Sequence, residues 1–361
     1  MKKLLALFSL LLIAVAVTYD DAGTFCVIFP QNGRDIWGVE QRSFLIFRAK
    51  EVDLIPAVKF EGSARDFGIL VPVPAVPQLS TVGSQIFSEA SFLTQPLFRN
   101  TGEGCGCDNS DNFVTSPLKN FNRNQLGAVV EDASNGVTVI YEKQVGAFLA
   151  AVLQATDAGD LTKWLNDNGY RYNPADAAIL GDYINRKWYF VAMKLDTTQV
   201  PPLINNWWAA TTAPARLTFP YDGKSLIYPL KISAISTKER SEVLVYAIGP
   251  DPMRFPDAKV EYANFISTAE AEAIAMQYPT LSGFLPEGVF LTKLRRTFTK
   301  DEMNNDLLLA PTNDRSEFRE IRYADAGMRG AALFLAVVVF LRGRNKKHEL
   351  AASQRGKSWQ E

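Results

Sequence analysis

The segment from residue 145 to residue 195 reads VGAFLAAVLQATDAGDLTKWLNDNGYRYNPADAAILGDYINRKWYFVAMKL and carries the clearest fold signal in the chain. Its first part, 145–155, is an apolar run with the length of a buried strand. A helix follows, because Asp157 is a preferred N-cap residue and Gly169 stands where a left-handed C-cap requires glycine. We expect Asp157 and Asp160 to act as helix N-terminal charges rather than as an acid–base pair.

A second helix and a return strand complete this segment. Asn173 is a capping residue, and Pro174 suits the first helical turn. Residues 187–195 then alternate between two sets of apolar side chains, Trp188, Phe190 and Ala192 against Tyr189, Val191 and Met193. The order strand–helix–helix–strand predicts an α/β unit packed on a sheet.

The rest of the chain reads mainly as strands. Runs rich in aromatic and β-branched residues fall at 43–48, 57–61, 67–73, 215–219, 226–235, 242–248 and 290–298. Pro72 points to an edge strand or an extended exit, because proline cannot donate to a sheet ladder. Helices are expected at 84–94 and after the capping box Ser267–Glu270, the latter ending before Pro279. These patterns predict an α+β fold with a mainly antiparallel β-sheet and the strand–helix–helix–strand unit as an insert.

The N-terminus has the pattern of a secretory signal peptide, residues 1–22. Lys2 and Lys3 precede the apolar run 4–13, and Ala14-Val15-Ala16 matches the small-x-small cleavage pattern. We expect cleavage between Ala16 and Ala22. The alternative is an uncleaved anchor helix, for which the run is short, since spanning needs about 20 residues.

The C-terminus has the pattern of a membrane anchor. An apolar run at 330–341 precedes Arg342, Arg344, Lys346 and Lys347, the order of a stop-transfer segment with a cytoplasmic basic side. The run rises only about 18 Å against a hydrocarbon core of about 30 Å. Because this run alone is short, we extend the segment toward the N-terminus and predict a transmembrane helix at 326–341, with a buried or interfacial helix as the alternative. We expect residues 342–361 to form a basic cytoplasmic tail.

Between these ends we expect one extracytoplasmic domain. Its first part, 23–135, is β-rich and includes a polar loop with two cysteines, and its second part, 136–325, is α+β. The arrangement predicts a single-pass protein of the cell membrane whose main domain is periplasmic or extracellular.

The chain has three cysteines, Cys26, Cys105 and Cys107, and a single histidine. One histidine excludes a Ser-His-Asp triad in the main domain and a zinc site built on several histidines. In an exported chain we favour a disulfide from Cys26 to Cys105 or Cys107. A strained Cys105–Cys107 bridge would be reducible, which keeps a thiol–disulfide or metal-handling function open.

Other features define few partners. The formal net charge of −1 gives no attraction to nucleic acid. Trp207 and Trp208 form an aromatic pair that either contacts lipid or sugar at the surface or packs in the core. We assign no catalytic residue, no cofactor and no metal ligand. The partners expected are the membrane, through the C-terminal helix, and an unidentified envelope partner or ligand.

Several motifs together resemble a known family. They are Gly68-Ile-Leu-Val-Pro-Val-Pro74, the run 155–161 continuing to Trp164-Leu-Asn-Asp-Asn-Gly-Tyr170, the strand 188–195, and Phe290-Leu-Thr-Lys-Leu-Arg295 with 303–307. In this order, across roughly 24–320, the chain is similar to domain-of-unknown-function family 2330. The resemblance implies a bacterial protein with a signal sequence and often a C-terminal membrane segment. It implies no activity, ligand or catalytic residue.

We therefore expect a non-enzymatic envelope protein that binds a partner or supports surface structure. The first rival is the thiol–disulfide or metal-handling protein using Cys105 and Cys107. The second is a hydrolase built on carboxylates, which needs no histidine. That rival requires two carboxylates facing each other across a cleft, at least one with a raised pKa.

Overall fold

A computed structural model of the chain describes residues 27–30, 36–62, 67–100, 132–134, 136–146, 148–170, 172–195, 215–222 and 225–324. The predicted signal peptide, the apolar run at 330–341, the three cysteines and the Trp207–Trp208 pair lie outside these residues. Among the helices in the described ranges, none is long and apolar enough to cross a membrane.

The strands and helices alternate unevenly along the chain. In chain order the strands are β1 (Val27–Pro30), β2 (Ile36–Phe47), β3 (Glu51–Gly62), β4 (Phe67–Val73), β5 (Gln78–Thr81), β6 (Leu97–Asn100), β7 (Asp132–Ser134), β8 (Val137–Val145), β9 (Phe148–Ala155), β10 (Tyr189–Leu195), β11 (Ala215–Pro220), β12 (Leu226–Tyr228), β13 (Arg240–Gly249), β14 (Met253–Arg254), β15 (Lys259–Phe265), β16 (Phe290–Thr299), β17 (Leu307–Pro311), β18 (Phe318–Arg319) and β19 (Ile321–Ala324). The α-helices are α1 (Ile86–Leu93), α2 (Ala158–Asp167), α3 (Ala177–Asn185), α4 (Thr268–Gln277) and α5 (Pro279–Ser282), with 3-10 turns at Pro174–Asp176, Lys231–Ile235 and Lys300–Asn304.

Most of these strands belong to two sheets. The first sheet has the order β1-β4-β10-β9-β8-β7 and is antiparallel throughout its described pairs. The second has the order β18-β15-β16-β13-β2-β3-β11-β5, and β2 with β13 is its parallel pair. A small antiparallel sheet, β12-β17-β14, accompanies them. The predicted α+β class with mainly antiparallel sheets is confirmed.

The two large sheets share one buried apolar cluster. Val191 and Met193 of β10 belong to it, as do Val243 and Val245 of β13. Because strand side chains alternate between faces, these residues define the facing surfaces of the two sheets. Each fully buried aliphatic side chain contributes about 1.5–3 kcal/mol, so this cluster is a main source of stability.

The other face of the first sheet carries the helices of the 145–195 segment. Phe190 and Ala192 pack there with Leu161 of α2 and Leu180 of α3. Trp188 belongs to the same cluster, so the alternation predicted for 187–195 is confirmed. The sequence of this segment therefore places one set of side chains between the sheets and the other under the helices.

Local capping fixes α2. The side chain of Asp157 accepts hydrogen bonds from the N–H groups of Gly159 and Asp160 at 2.7 and 3.1 Å. Gly169, one residue past the C-cap, has a φ of 84°, a conformation that favours glycine. Both predicted ends of this helix are confirmed.

The outer face of the second sheet is covered in the same way. Phe44 of β2 stacks on Tyr246 of β13 with ring centroids 4.9 Å apart, and Phe87 of α1 packs against Phe44 at 5.0 Å. The capping box of Ser267 and Glu270 opens α4 as predicted. The result is a four-layer α/β/β/α arrangement, because both sheets have an apolar outer face that helices bury.

Three sequence predictions need correction. The run 145–155 is not one strand, because β8 ends at Val145 and β9 begins at Phe148. The run 226–235 is a strand only to Tyr228, since Pro229 cannot continue a ladder. Pro72 lies in β4, which is an inner strand of the first sheet at residues 67–70, so the predicted edge position holds only locally, at Pro72 itself. It is tolerated there because β1 pairs only with residues 67–70 of β4, so that Pro72 has a single partner strand, β10, among the described residues.

The described residues fall into two units. The larger unit contains the four layers and extends to Gln95 and from Asp132 to Arg319. In the smaller unit the structure describes Pro96–Asn100 and Glu320–Ala324, whose strands β6 and β19 pair in parallel.

Candidate functional site

A polar groove opens beside the end of α3. Its volume is about 500 Å³, and it is bounded by α3, β12, the 3-10 turn at Lys231–Ile235 and the start of β17. We call it the α3–β12 groove, and its lining residues are Asp182, Asn185, Arg186, Ile227, Lys231, Asn304, Asn305, Asp306, Leu307 and Leu308.

A buried tyrosine sets the geometry of this groove. Tyr183 lies at 0% exposure on the inner side of α3. Its hydroxyl donates to Oδ1 of Asp306 at 2.6 Å and accepts from the N–H of Ile232 at 3.2 Å. Asp306 also accepts from the N–H of Lys231 at 3.0 Å. One phenol therefore ties α3, the 3-10 turn and the start of β17 together.

Burial raises the pKa of Tyr183 far above its ordinary value, and the nearby negative charge of Asp306 and the hydrogen bond to it add to the rise. The phenol therefore keeps its proton across the physiological range. As a permanent donor to Asp306, it suits a positioning role rather than acid–base work.

Two ion pairs line the groove. Nη2 of Arg186 lies 2.8 Å from Oδ2 of Asp306. The ammonium of Lys231 contacts the carboxylate of Asp182. Asp182 and Arg186 are four residues apart on α3, so helix geometry places them on the same face. Each acidic side chain of the groove is thus held by a basic one.

The guanidinium of Arg186 is also held by aromatic rings. It lies 4.7 Å from the ring centroid of Tyr183 and 5.0 Å from that of Trp188. Its Nε donates to the carbonyl of Asp182 at 3.3 Å. These contacts fix the plane of the guanidinium, because cation–π and hydrogen-bond geometry both constrain it.

The groove also has an apolar, exposed part. Ile227 of β12 and Leu308 of β17 are cross-strand partners, so their side chains lie on the same face of the small sheet. They are 38% and 51% exposed. An aliphatic pair that lines the same groove as fixed charges has the composition of a binding surface, in which apolar contact supplies area and polar groups fix orientation.

A second polar cluster lies on the second sheet. Arg295 of β16 donates to Oε1 of Glu261 at 2.6 Å and also contacts Glu242, and Nζ of Lys293 lies 3.0 Å from Oε2 of Glu261. Burial acts to raise the pKa of Glu261, but the contacts with Arg295 and Lys293 outweigh it, so that the pKa is lowered. Two carboxylates therefore approach one guanidinium here. A general acid needs a raised pKa, whereas the pKa of Glu261 is lowered.

The residues predicted as sites lie elsewhere. Cys26, Cys105, Cys107, Trp207 and Trp208 fall outside the described residues. Within the described ranges, no group of three or more His, Cys, Asp or Glu side chains is arranged to hold a metal ion.

The groove residues were missed by sequence reasoning. They come from three separate segments, and only the spacing of Asp182 and Arg186 on one helix could have hinted at them. Asp306 and Lys231 are brought to α3 by the packing of the sheets, which no local pattern encodes.

The fold and the groove together define a four-layer α/β/β/α protein with a preformed polar cleft. The sequence profile of a family described as uncharacterized protein conserved in bacteria, DUF2330, matches residues 21–309, and the chain belongs to that family. No curated protein sequence matches the chain. The crystal structure of baculovirus P35 is similar at 12% identity with a TM-score of 0.34, covering 82% of this chain and 100% of that one, which is too distant to bear on function.

Proposed function

We propose that the chain is a membrane-anchored extracytoplasmic protein of the bacterial envelope that binds a partner, without catalysis, through the α3–β12 groove. The patterns at its two ends support the location: a charged start with an apolar run and small-x-small residues, and an apolar run followed by a basic cluster. The family supports a bacterial source.

One observation carries the binding role. In the groove, Asp182 and Asp306 are each held by a basic side chain, and the exposed pair Ile227 and Leu308 lies beside them. The charges balance, so the groove suits a partner with little net charge. Aliphatic side chains of such a partner would cover the apolar pair, and its backbone amides would meet the amide side chains of Asn185 and Asn305. A peptide segment of a protein partner has this composition.

Location is tested by membrane fractionation of the full-length chain and of a chain truncated at residue 330. The full-length protein is expected in the membrane fraction, released by detergent but not by high salt, because an anchor is held by apolar contact. Loss of membrane association on truncation supports the anchor. Recovery of the full-length chain in the soluble cytosolic fraction overturns the proposed location.

Binding is tested by selecting a random peptide library on the full-length protein and measuring the affinity of the enriched peptides. Leu308→Ser is expected to weaken them by about four- to tenfold. Leu308 is 51% exposed, so a partner can bury about half of the 1.5–3 kcal/mol that a leucine contributes, and about 1.4 kcal/mol is a factor of ten. Leu149→Ser is the matched control, because Leu149 is also a strand leucine, 47% exposed, and lies outside the groove.

The two variants separate the outcomes. A loss confined to Leu308→Ser supports binding through the groove. Equal affinity in wild type and Leu308→Ser, or an equal loss in Leu149→Ser, removes the groove from the proposal.

A further inference from the structure

Strands β6 and β19 form a two-stranded parallel sheet in the smaller unit. In its register Leu97 is opposite Ile321, Phe98 opposite Arg322, and Arg99 opposite Tyr323. Since opposite residues point to the same face, one face carries the first and third of these pairs and the other face carries the second.

Both faces of this sheet present apolar side chains to solvent. Phe98 is 68% exposed and Tyr323 63%, and Leu97 and Ile321 are 43% and 38% exposed. Parallel strands are normally covered on both faces, and an isolated two-stranded sheet is marginal in water. We call this two-stranded sheet the β6–β19 ribbon. Its exposed apolar side chains indicate that both of its faces are covered by something else.

The position of the ribbon in the chain indicates what covers it. β19 ends at Ala324, and the apolar run near the C-terminus, 330–341, begins at Gly330. Five residues intervene, so Ala324 and Gly330 lie at most roughly 20 Å apart. If that run is anchored in a bilayer, the end of β19 that carries Tyr323 is held close to the membrane surface.

The side chains match a lipid interface. Tyrosine is enriched at the level of the headgroups, because its ring is apolar and its hydroxyl is polar. Arg99 and Arg322 stand opposite the two aromatic residues, where a guanidinium can reach lipid phosphates while its stem covers apolar surface. Among the described residues neither outer edge of the ribbon pairs with another strand, and unpaired backbone groups exclude the hydrocarbon core.

We propose that the β6–β19 ribbon lies in the interfacial layer of the membrane that anchors the chain, with lipid around both of its faces. This inference rests on the membrane anchoring proposed above. A fluid interface covers both faces at once, whereas a protein partner or a second copy that docks on one face leaves the aromatic residue of the other face in water. Phe98 and Tyr323 lie on opposite faces, so they distinguish the two cases.

The test uses the full-length protein reconstituted in vesicles of phosphatidylcholine and phosphatidylglycerol, in which part of the phosphatidylcholine is brominated on its acyl chains. Phe98→Trp and Tyr323→Trp each add an indole, whose emission is taken as the difference from wild type. Both added indoles are expected to be quenched by brominated lipid, more strongly by bromine near the ester than by bromine deep in the chain. Both are expected to be less accessible to aqueous iodide than free N-acetyltryptophanamide.

The outcomes separate the two proposals. If the protein floats with the vesicles but either added indole is open to iodide and insensitive to bromine, the ribbon does not lie in lipid and the anchor stands. If either indole is protected from both quenchers, protein covers that face and the lipid inference is overturned. If the protein does not float with the vesicles, the proposed anchoring fails, and the inference fails with it.

Discussion

Gly68→Ala is the sharpest test of the packing described above. A Cβ at Gly68 of β4 would lie 2.2 and 2.3 Å from two carbons of the Tyr170 ring, where real Cβ contacts under 3.0 Å are essentially never seen. Tyr170 is 4% exposed, and its ring stacks on Trp164 with centroids 6.2 Å apart. The ring therefore has little room to move.

The magnitude follows from two opposing effects. Overpacking a buried site costs about 1–3 kcal/mol. Replacing glycine by alanine in a strand gains about 0.5–1 kcal/mol in backbone entropy. We expect Gly68→Ala to lower the free energy of unfolding by about 1–2 kcal/mol. Gly181→Ala on α3 is the control, because a Cβ there meets nothing within 4 Å, and it should stabilise by about 0.5–1 kcal/mol.

A double-mutant cycle identifies the cause. With Tyr170→Ala the ring is gone, at a cost of about 3–5 kcal/mol, and Gly68→Ala should then stabilise by about 0.5 kcal/mol. The assay is urea unfolding of the full-length chain in mild detergent, followed by far-UV circular dichroism, with the slope and midpoint compared between variants. An equal loss from Gly68→Ala with and without the Tyr170 ring would refute the reasoning, because the clash would then not be the source.

Three further perturbations test other parts of the structure. Because the folded-state pKa of Glu261 lies below its ordinary value of 4.5, its ion pairs stabilise the fold above that pH and are lost as the pH falls through the lowered value. Glu261→Gln should therefore flatten the decline of urea midpoints below about pH 4.5. If the urea midpoint of Glu261→Gln falls with pH as steeply as that of the wild type, the reasoning is contradicted. Tyr183→Phe removes one of the donors to the Asp306 carboxylate and the acceptor of the buried N–H of Ile232. It should cost about 1–3 kcal/mol in urea unfolding. No loss would show that water or another donor replaces the phenol. Asp157→Ala should cost about 1 kcal/mol and Asp157→Asn much less, because asparagine also caps; equal losses would rule out the cap as the source.

The sequence predicted individual helices and strands better than it predicted how they pack together. The ends of α2 followed from Asp157 and Gly169, and the faces of β10 followed from strict alternation. Both signals act over a few residues, where side chain and backbone meet directly. Local signals failed where long-range packing decides. β1 pairs with residues 67–70 of β4 and makes β4 an inner strand, although β1 stops short of Pro72.

The order of the strands was beyond sequence reasoning. β2 pairs with β13 in parallel, two hundred residues away at the Gln41–Ser241 hydrogen bond, and this pairing holds the second sheet together. No local pattern encodes such a pairing, because period-two alternation fixes which face a side chain takes and not which strand lies beside it.

Packing also explains two of the motifs by which the sequence resembles its family. Gly68 opens the first motif and Tyr170 closes the second, and in the structure the Tyr170 ring occupies the space that a side chain at Gly68 would need. The glycine is thus required by close approach of the ring rather than by an unusual backbone conformation. The resemblance therefore reports how α2 is seated on the first sheet, and it carries no information about the groove.

The groove depends instead on how α3 is seated on the same sheet. Tyr183, which holds Asp306, packs edge-on to Phe190 at 6.4 Å and against Trp188 at 5.5 Å, so the core under α3 positions the charges at the surface. Groove binding should therefore respond differently to two variants. Leu308→Ser removes contact area and should weaken peptides without changing stability much, because the side chain is half exposed. Tyr183→Phe should lower stability and also weaken binding of the same peptides, because the charged side chains that Tyr183 positions would be displaced. If Tyr183→Phe destabilises the fold but leaves peptide affinity intact, the fixed ion pairs are structural only, and the apolar pair alone forms the binding surface.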